Sequence, residues 1–124
     1  MSSTAKVIRR EWLDWPFFEP RHHAVGEALD RFVQSGALDT IDHTDVDGAC
    51  RKLVRAMGEA GLLDCAVAAP DGDATTIDSR SICLSRESLA YADGLADFAF
   101  AMQGLGAGAV PSGGSARRRE ARRP

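Results

Sequence analysis

The chain has 124 residues, of which 44% are hydrophobic, with 15 Lys and Arg against 18 Asp and Glu. This length allows one domain at most and excludes a complete large enzyme. The composition is that of a globular protein, which excludes a disordered polymer and a membrane bundle. The net charge of −3 has two unlike parts: residues 117–124 carry five Arg and one Glu, a charge of +4, so the remainder carries −7.

Two helices are predicted in the first half of the chain. Residues 1–15 are polar and lack periodicity, which predicts a flexible leader. A helix is predicted over 20–35, with Pro20 in its first turn and Gly36 as its C-terminal cap. A second helix is predicted over 45–60, between caps at Asp45 and Gly61. Their apolar stripes are Val25, Ala28, Leu29, Phe32 and Val33 in the first, and Val46, Ala49, Cys50, Leu53, Met57 and Ala60 in the second.

A loop and a third helix follow. Residues 62–76 begin with an apolar run and continue with Pro70, Asp71 and Gly72, a pattern that predicts a buried extended segment and then a turn. The third helix is predicted to start near Asp78 or Ser79 and to end at Asp93-Gly94. Its inward residues are Ile82, Leu89 and Ala92, with Cys83 beside them.

The fourth segment, Leu95 to Val110, is apolar on nearly every face and is predicted to form a central, buried helix. A membrane span needs about 20 apolar residues. This segment is shorter, rich in Gly and interrupted by Asp97, so we expect no membrane insertion. We expect Asp97 to be paired near the helix end. Together the elements predict an all-α domain of four main helices over residues 16–111, followed by a disordered basic tail over 112–124.

The cysteines and the N-terminus bear on the cellular compartment. Cys50, Cys65 and Cys83 are odd in number and widely spaced, so we expect small buried apolar side chains in a reduced protein. The N-terminus has positive charge but no apolar run after it, which argues against a secretory signal. We therefore expect a cytoplasmic location.

A glycine pattern near the C-terminal end matches a nucleotide-binding motif. Gly104, Gly106, Gly108 and Ala109 have the spacing of the dinucleotide fingerprint. That fingerprint works inside a strand, helix, strand unit of about 30 residues, and the residues after Ala109 are too few to complete one. We expect these small residues to allow close packing against a neighbouring helix instead.

Other polar patterns have ordinary structural explanations. Asp45, Asp47 and Gly48 follow His43 as in a calcium loop, but Val54 stands where the bidentate Glu is required, so a carboxylate-rich helix N-terminus is favoured. His22 and His23 point about 100° apart on a helix, so they cannot chelate one ion and are expected to be exposed. Asp71 and Asp73 are explained by turn chemistry. No metal site is predicted.

The basic tail is the one feature that suggests nucleic acid. Its five Arg are able to contact phosphates. However, the tail lacks interleaved aromatic residues and follows an acidic body, so any such contact would be weak and salt-sensitive. We do not expect nucleic-acid binding to be the function.

The sequence RSICLSRESLAYADGLADFAFAMQGLGAG, residues 80–108, resembles the end of the N-terminal helical domain of the acyl-CoA dehydrogenase family. The most specific part is RESLAYADGLADFAFAMQGLG, in which a helix, a short break and a nearly all-apolar helix follow one another. WPFFEPRH and DVDGACRKLVRAMGEAGLL upstream are similar to the opening of the family's first helix and to its second helix. The resemblance covers roughly residues 15–112.

This resemblance implies one domain of an FAD-dependent oxidoreductase that removes the α and β hydrogens of an acyl-CoA thioester. The family adds a middle β-domain and a C-terminal helical domain, which hold most flavin contacts and the catalytic Glu. No catalytic residue is therefore assigned here, and we expect this chain alone to bind FAD poorly and to be inactive. By the resemblance, Phe98, Ala101, Met102 and Leu105 line the acyl pocket; the alternative is that they belong to the helical core.

The tail departs from the family pattern. Gly114-Ser115-Ala116 begins the expected continuation, and RRREARRP replaces the rest, so we interpret the chain as a truncated or frameshifted member. The alternative function is a non-enzymatic helical module that docks onto partner subunits, or onto a second copy, through exposed apolar surface.

Overall fold

The computed structural model describes residues 8–66 and 77–113, with side chains up to residue 106. These residues form four α-helices and two short 3-10 helices and contain no strand, which confirms the all-α prediction. The α-helices are α1 (Pro20–Gln34), α2 (Val46–Glu59), α3 (Ser79–Ala92) and α4 (Gly94–Gly113). The 3-10 helices span Glu11–Asp14 and Asp64–Ala66.

The predicted caps explain where α1 and α2 begin and end. Pro20 is the first residue of α1. Asp45 caps α2, because its carboxylate accepts a hydrogen bond from the Gly48 N–H at 3.1 Å. Gly36 and Gly61, which follow the two helices, have φ of 84° and 75°. This left-handed conformation favours glycine and stops each helix.

The helices pack in the order α1, α3, α4, α2: α1 contacts α3, α3 contacts α4, and α4 contacts α2. The second 3-10 helix lies against both α3 and α4. Apolar side chains from all four helices meet in one core, whose large, deeply buried members include Leu29, Leu53, Met57, Leu84, Leu89 and Phe100. The central pair α3 and α4 therefore positions everything else.

The segment after α2 is buried as predicted but is not extended. Leu62, Leu63 and Ala66 are buried, and residues 64–66 form a 3-10 helix. The Leu62 N–H donates to the Met57 carbonyl at 2.9 Å, so the chain turns back under α2 instead of leaving it as a strand. Residues 67–76, with the predicted turn at Asp71 and Asp73, lie outside the described residues.

Part of the predicted leader is packed against the helices. Arg10 donates to Asp30 of α1 at 2.6 Å and to the Ser88 hydroxyl of α3 at 2.5 Å. Leu13 is buried in the core. The segment from Arg10 onward therefore holds α1 and α3 together. Of the predicted tail, residues 112 and 113 are the last of α4, and 114–124 lie outside the described residues.

Candidate functional site on α4

Helix α4 buries one face and exposes another that is also apolar. Ala96, Ala99 and Phe100 are buried in the core. Phe98, Met102 and Leu105 are 54%, 44% and 71% exposed, and Ala101 is half-buried. The prediction of a fully buried helix is therefore wrong for this face. An all-apolar sequence indicates burial on every side, but α2 and α3 cover only one side here.

Two of the four predicted pocket residues share a cavity. A cavity of about 270 Å3 lies between α3 and α4, and Ala101 and Leu105 line it together with Ile82, Phe100 and Gly104. Phe98 and Met102 are not part of its lining. They lie on the outer surface of α4, next to Leu105 at the predicted spacing of one helical face. Leu105 therefore belongs both to this cavity and to the exposed apolar face of α4.

Asp97 is paired, as predicted, but its partner is a side chain of α3. The Arg86 guanidinium donates two hydrogen bonds to its carboxylate, at 2.9 and 3.1 Å. The hydrogen bonds and charge of Asp97 raise the pKa of Arg86. Arg86 also lines the α3–α4 cavity, so this ion pair is the polar edge of an otherwise apolar site.

Gly104 and Gly106 of α4 form neither a nucleotide-binding turn nor a close contact with a neighbouring helix. Gly104 and Gly106 lie inside the helix, not at a strand-to-helix turn. A Cβ atom added at either position would meet no atom within 4 Å. The expectation of close packing at these two glycines is therefore wrong, because no neighbouring helix approaches them among the described residues.

His22 is fully buried, which overturns the expectation that it is exposed. Its Nδ1 accepts a hydrogen bond from the Glu19 N–H at 2.9 Å, so Nε2 carries the proton and donates to the Asp78 carboxylate at 3.2 Å. Partial burial opposes ionisation of Asp78, but hydrogen bonds from the Ser81 hydroxyl, His22 and the Ser81 N–H, with the charge of Arg21, outweigh it and lower its pKa to about 2. This contact joins the start of α1 to the start of α3.

His43 takes part in a second contact between distant segments. Its Nε2 lies 2.6 Å from the Asp93 carboxylate, between α3 and α4. Hydrogen bonds from Thr44 lower the pKa of the neighbouring Asp42. Within residues 8–66 and 77–113 no group of three or more His, Cys, Asp and Glu side chains has the arrangement of a metal site.

The cysteines are less buried than expected. Cys83 is exposed, and Cys50 and Cys65 are half-buried. Burial raises the pKa of the Cys65 thiol, which keeps it protonated. The prediction that Cys83 is buried is wrong because Cys83 follows Ile82 directly, and successive residues of a helix point about 100° apart.

A groove between α2 and α4 was not predicted. It has a volume of about 860 Å3, is open to solvent, and has Cys50, Val54, Gly58 and Gln103 along its floor. Arg51, Arg55 and Glu59 form its edge. The sequence signal was present, because these three charged residues recur every four positions along α2.

Neither of the two cavities along α4 is an enclosed pocket of the usual ligand-binding size. A pocket for a drug-sized ligand has about 300–1,000 Å3 and covers most of the ligand's surface. The α3–α4 cavity, at about 270 Å3, is smaller, and the larger α2–α4 groove is open. No step of a flavin reaction is therefore assigned to these residues.

Comparison with models of known protein families and with curated proteins finds no match to this chain. No helix within the described residues is long and apolar enough to cross a membrane.

Proposed function

We propose that this chain is the N-terminal helical domain of an acyl-CoA dehydrogenase-like flavoenzyme, in which α4 forms one wall of the acyl pocket. The observation that carries the proposal is the second apolar face of α4. Phe98, Met102 and Leu105 are exposed although they belong to the most apolar helix of the chain. An exposed apolar face of this kind marks a surface that other atoms cover in the working protein.

The arrangement of elements agrees with the sequence resemblance. The segment that carries the most specific motif folds as two consecutive helices, α3 and α4, with only Asp93 between them. Those two helices form the centre of the row and build the cavity that Ala101 and Leu105 line. An acyl chain entering this cavity would contact apolar side chains and would pass the Arg86–Asp97 pair at its edge.

The proposal assigns flavin binding and proton abstraction to the two other domains of the family. Within this chain, α4 contributes surface and shape to substrate binding. A wall of this kind stabilises a bound apolar chain by burying its surface, with a free energy of roughly 25 cal/mol per Å2 of apolar area. One wall alone covers little of the chain, so we expect weak acyl-CoA binding and no turnover by the chain alone.

A chain-length series of acyl-CoA thioesters tests the wall. Isothermal titration calorimetry with butyryl-, octanoyl- and palmitoyl-CoA is expected to show binding that tightens with length. Leu105→Asp is expected to weaken the binding of the longest thioester, because a carboxylate then lies in the apolar cavity. Tyr91→Asp, which changes an exposed aromatic residue of α3, is the matched control. Binding that does not depend on chain length or on Leu105 contradicts the proposal.

The coding sequence downstream provides an independent test. We expect the DNA that follows the codon of Pro124, in the same or a shifted frame, to encode a β-domain and a second helical domain. A downstream region that encodes neither of them contradicts the proposal. A purified chain that is yellow and reduces an electron acceptor with acyl-CoA contradicts the expectation that it is inactive alone.

A further inference from the structure

The α2–α4 groove has features that the proposed function does not use. Its floor combines the half-buried residues Cys50, Val54 and Gly58 of α2 with Gln103 of α4. It lies on the other side of α4 from the α3–α4 cavity, because Gln103 belongs to the groove whereas Ala101 and Leu105 line the cavity.

The edge of the groove carries an ordered set of charges. Arg51, Arg55 and Glu59 are exposed and lie one helical turn apart on the same face of α2. Within the part of the chain that the structure describes, none of the three has an oppositely charged group within 4.0 Å, although six Arg–carboxylate pairs form elsewhere. Two guanidinium groups beside an apolar floor are thus available to carboxylates from another molecule.

The shape of the groove favours a helix over a small ligand. A small ligand is held by a pocket that covers 70–90% of its surface, whereas this groove is open to solvent. An amphipathic helix needs no enclosure, because it lays its apolar face on the floor and keeps its charged residues at the edge. Carboxylates four residues apart on such a helix have the same spacing as Arg51 and Arg55.

We propose that the α2–α4 groove docks an amphipathic helix of another protein, which presents two carboxylates one turn apart to Arg51 and Arg55. A basic residue one turn further along that helix would face Glu59. The partner is therefore defined by an apolar stripe flanked by an acid, acid, base series at four-residue spacing.

A second copy of this chain does not have the required pattern. None of its four α-helices carries two carboxylates four residues apart. The nearest pair, Glu27 and Asp30 of α1, is three residues apart, and Asp30 already accepts from Arg10 at 2.6 Å. An anionic membrane is also disfavoured, because Glu59 at the same edge would be repelled by lipid phosphates.

Fluorescence anisotropy with two labelled synthetic helices tests this inference, which does not depend on the proposed function. Both helices carry the same Leu stripe; one has Glu at two positions four residues apart beside it, and the other has Lys at those positions. The protein variants are Arg51→Glu/Arg55→Glu, Arg55→Met, and Arg31→Glu. Arg31 is an exposed Arg of α1 outside the groove lining, so Arg31→Glu controls for the reversal of an exposed Arg elsewhere on the surface.

We expect the Glu helix to bind the unaltered chain and the Lys helix to bind at least about tenfold more weakly, because like charges would meet at the groove edge. The double reversal should weaken binding of the Glu helix by at least about tenfold and restore binding of the Lys helix. Arg55→Met should give a smaller loss, and Arg31→Glu should leave affinity unchanged. Circular dichroism checks that each variant is folded.

Four results would overturn the inference. These are equal binding of the two synthetic helices, unchanged binding by the double reversal, an equal loss with Arg31→Glu, and no binding of either helix. Sedimentation with phosphatidylserine-containing vesicles is measured in parallel. If the chain binds vesicles through Arg51 and Arg55 but binds neither helix, the groove edge recognises lipid phosphates and not a protein helix.

Discussion

The two halves of the helical row are held together differently. On the α1 and α3 side, buried or partly buried polar groups join the elements: Arg10 with Asp30 and Ser88, and His22 with Asp78. On the α4 and α2 side, the described contacts are mainly apolar, through Leu53, Met57 and Phe100. A network of buried hydrogen bonds requires one geometry, whereas apolar contacts tolerate substitutions that keep the side-chain volume.

This difference matches where the two candidate sites lie. Both the exposed face of α4 and the α2–α4 groove are on the apolar half. The polar half fixes α1 and α3 as a frame, and the apolar half carries the exposed apolar face and the groove. Variants of each half should therefore fail in different ways, and four predictions separate them.

The largest effect is expected in the apolar half. Phe100 is 2% exposed and belongs to the shared core. Phe100→Ala should lower the free energy of unfolding by about 3–5 kcal/mol, because it leaves a cavity between α4 and its neighbours. Urea denaturation followed by circular dichroism measures the loss. A loss below about 1 kcal/mol, the cost of a volume-conserving change, would mean that α4 is not packed as described.

The second effect is expected at Arg10, in the polar half. The side chain of Arg10 is 7% exposed and holds Asp30. Arg10→Met keeps most of the apolar stem but leaves Asp30 without its ion partner, so we expect a loss of about 2–3 kcal/mol. Arg9→Met, at an exposed neighbouring position, is the control. If both substitutions have the same effect, Arg10 does not join α1 to α3.

The third prediction concerns acid and the His22–Asp78 contact. The pKa of Asp78 is about 2 against an ordinary value of 3.8. Its contribution to stability is therefore complete above about pH 4 and is lost as the pH falls toward 2. Asp78→Asn should lower the free energy of unfolding by about 2 kcal/mol at neutral pH, and by progressively less between pH 4 and 2.

Denaturation at a series of pH values distinguishes the loss of this contact from a general effect of acid on the free energy of unfolding. Asp14→Asn is the matched control, because the Asp14 side chain is 84% exposed and lies 3.9 Å from His23 without contacting His22 or Asp78 in the described ion pairs. A constant difference between Asp78→Asn and the unaltered chain from pH 7 to 2 would contradict the prediction.

The sequence was sufficient to predict the helices because their boundaries depend on local signals. Asp45, Pro20, Gly36 and Gly61 act through their own backbone and caps. The burial of His22 was not predictable in this way. Its partner Asp78 is 56 positions away, and no local pattern connects them. The prediction of an extended segment after α2 was wrong for a related reason, because a short apolar run does not distinguish a strand from a buried turn.

The four residues predicted to line an acyl pocket show a second limit of prediction from sequence. Their helical spacing placed Phe98, Ala101, Met102 and Leu105 on one side of α4, and the structure agrees. Which side of an all-apolar helix meets the core depends on its neighbours. In α4 the buried side is that of Ala96, Ala99 and Phe100. Spacing identifies a face, but packing decides whether that face is core or surface.

The smallest effect on stability, and the sharpest test of the apolar half, is expected at Leu105. Because Leu105 is 71% exposed, Leu105→Ser should change the free energy of unfolding by no more than about 0.5 kcal/mol. The same change should reduce the fluorescence of an apolar dye such as ANS bound to the folded chain, since the dye binds to exposed apolar surface. Tyr91→Ser, at an exposed position of α3, should leave that signal largely unchanged. If Leu105→Ser instead destabilises the chain as strongly as Phe100→Ala, then Leu105 belongs to the core and the two halves do not differ in the way described.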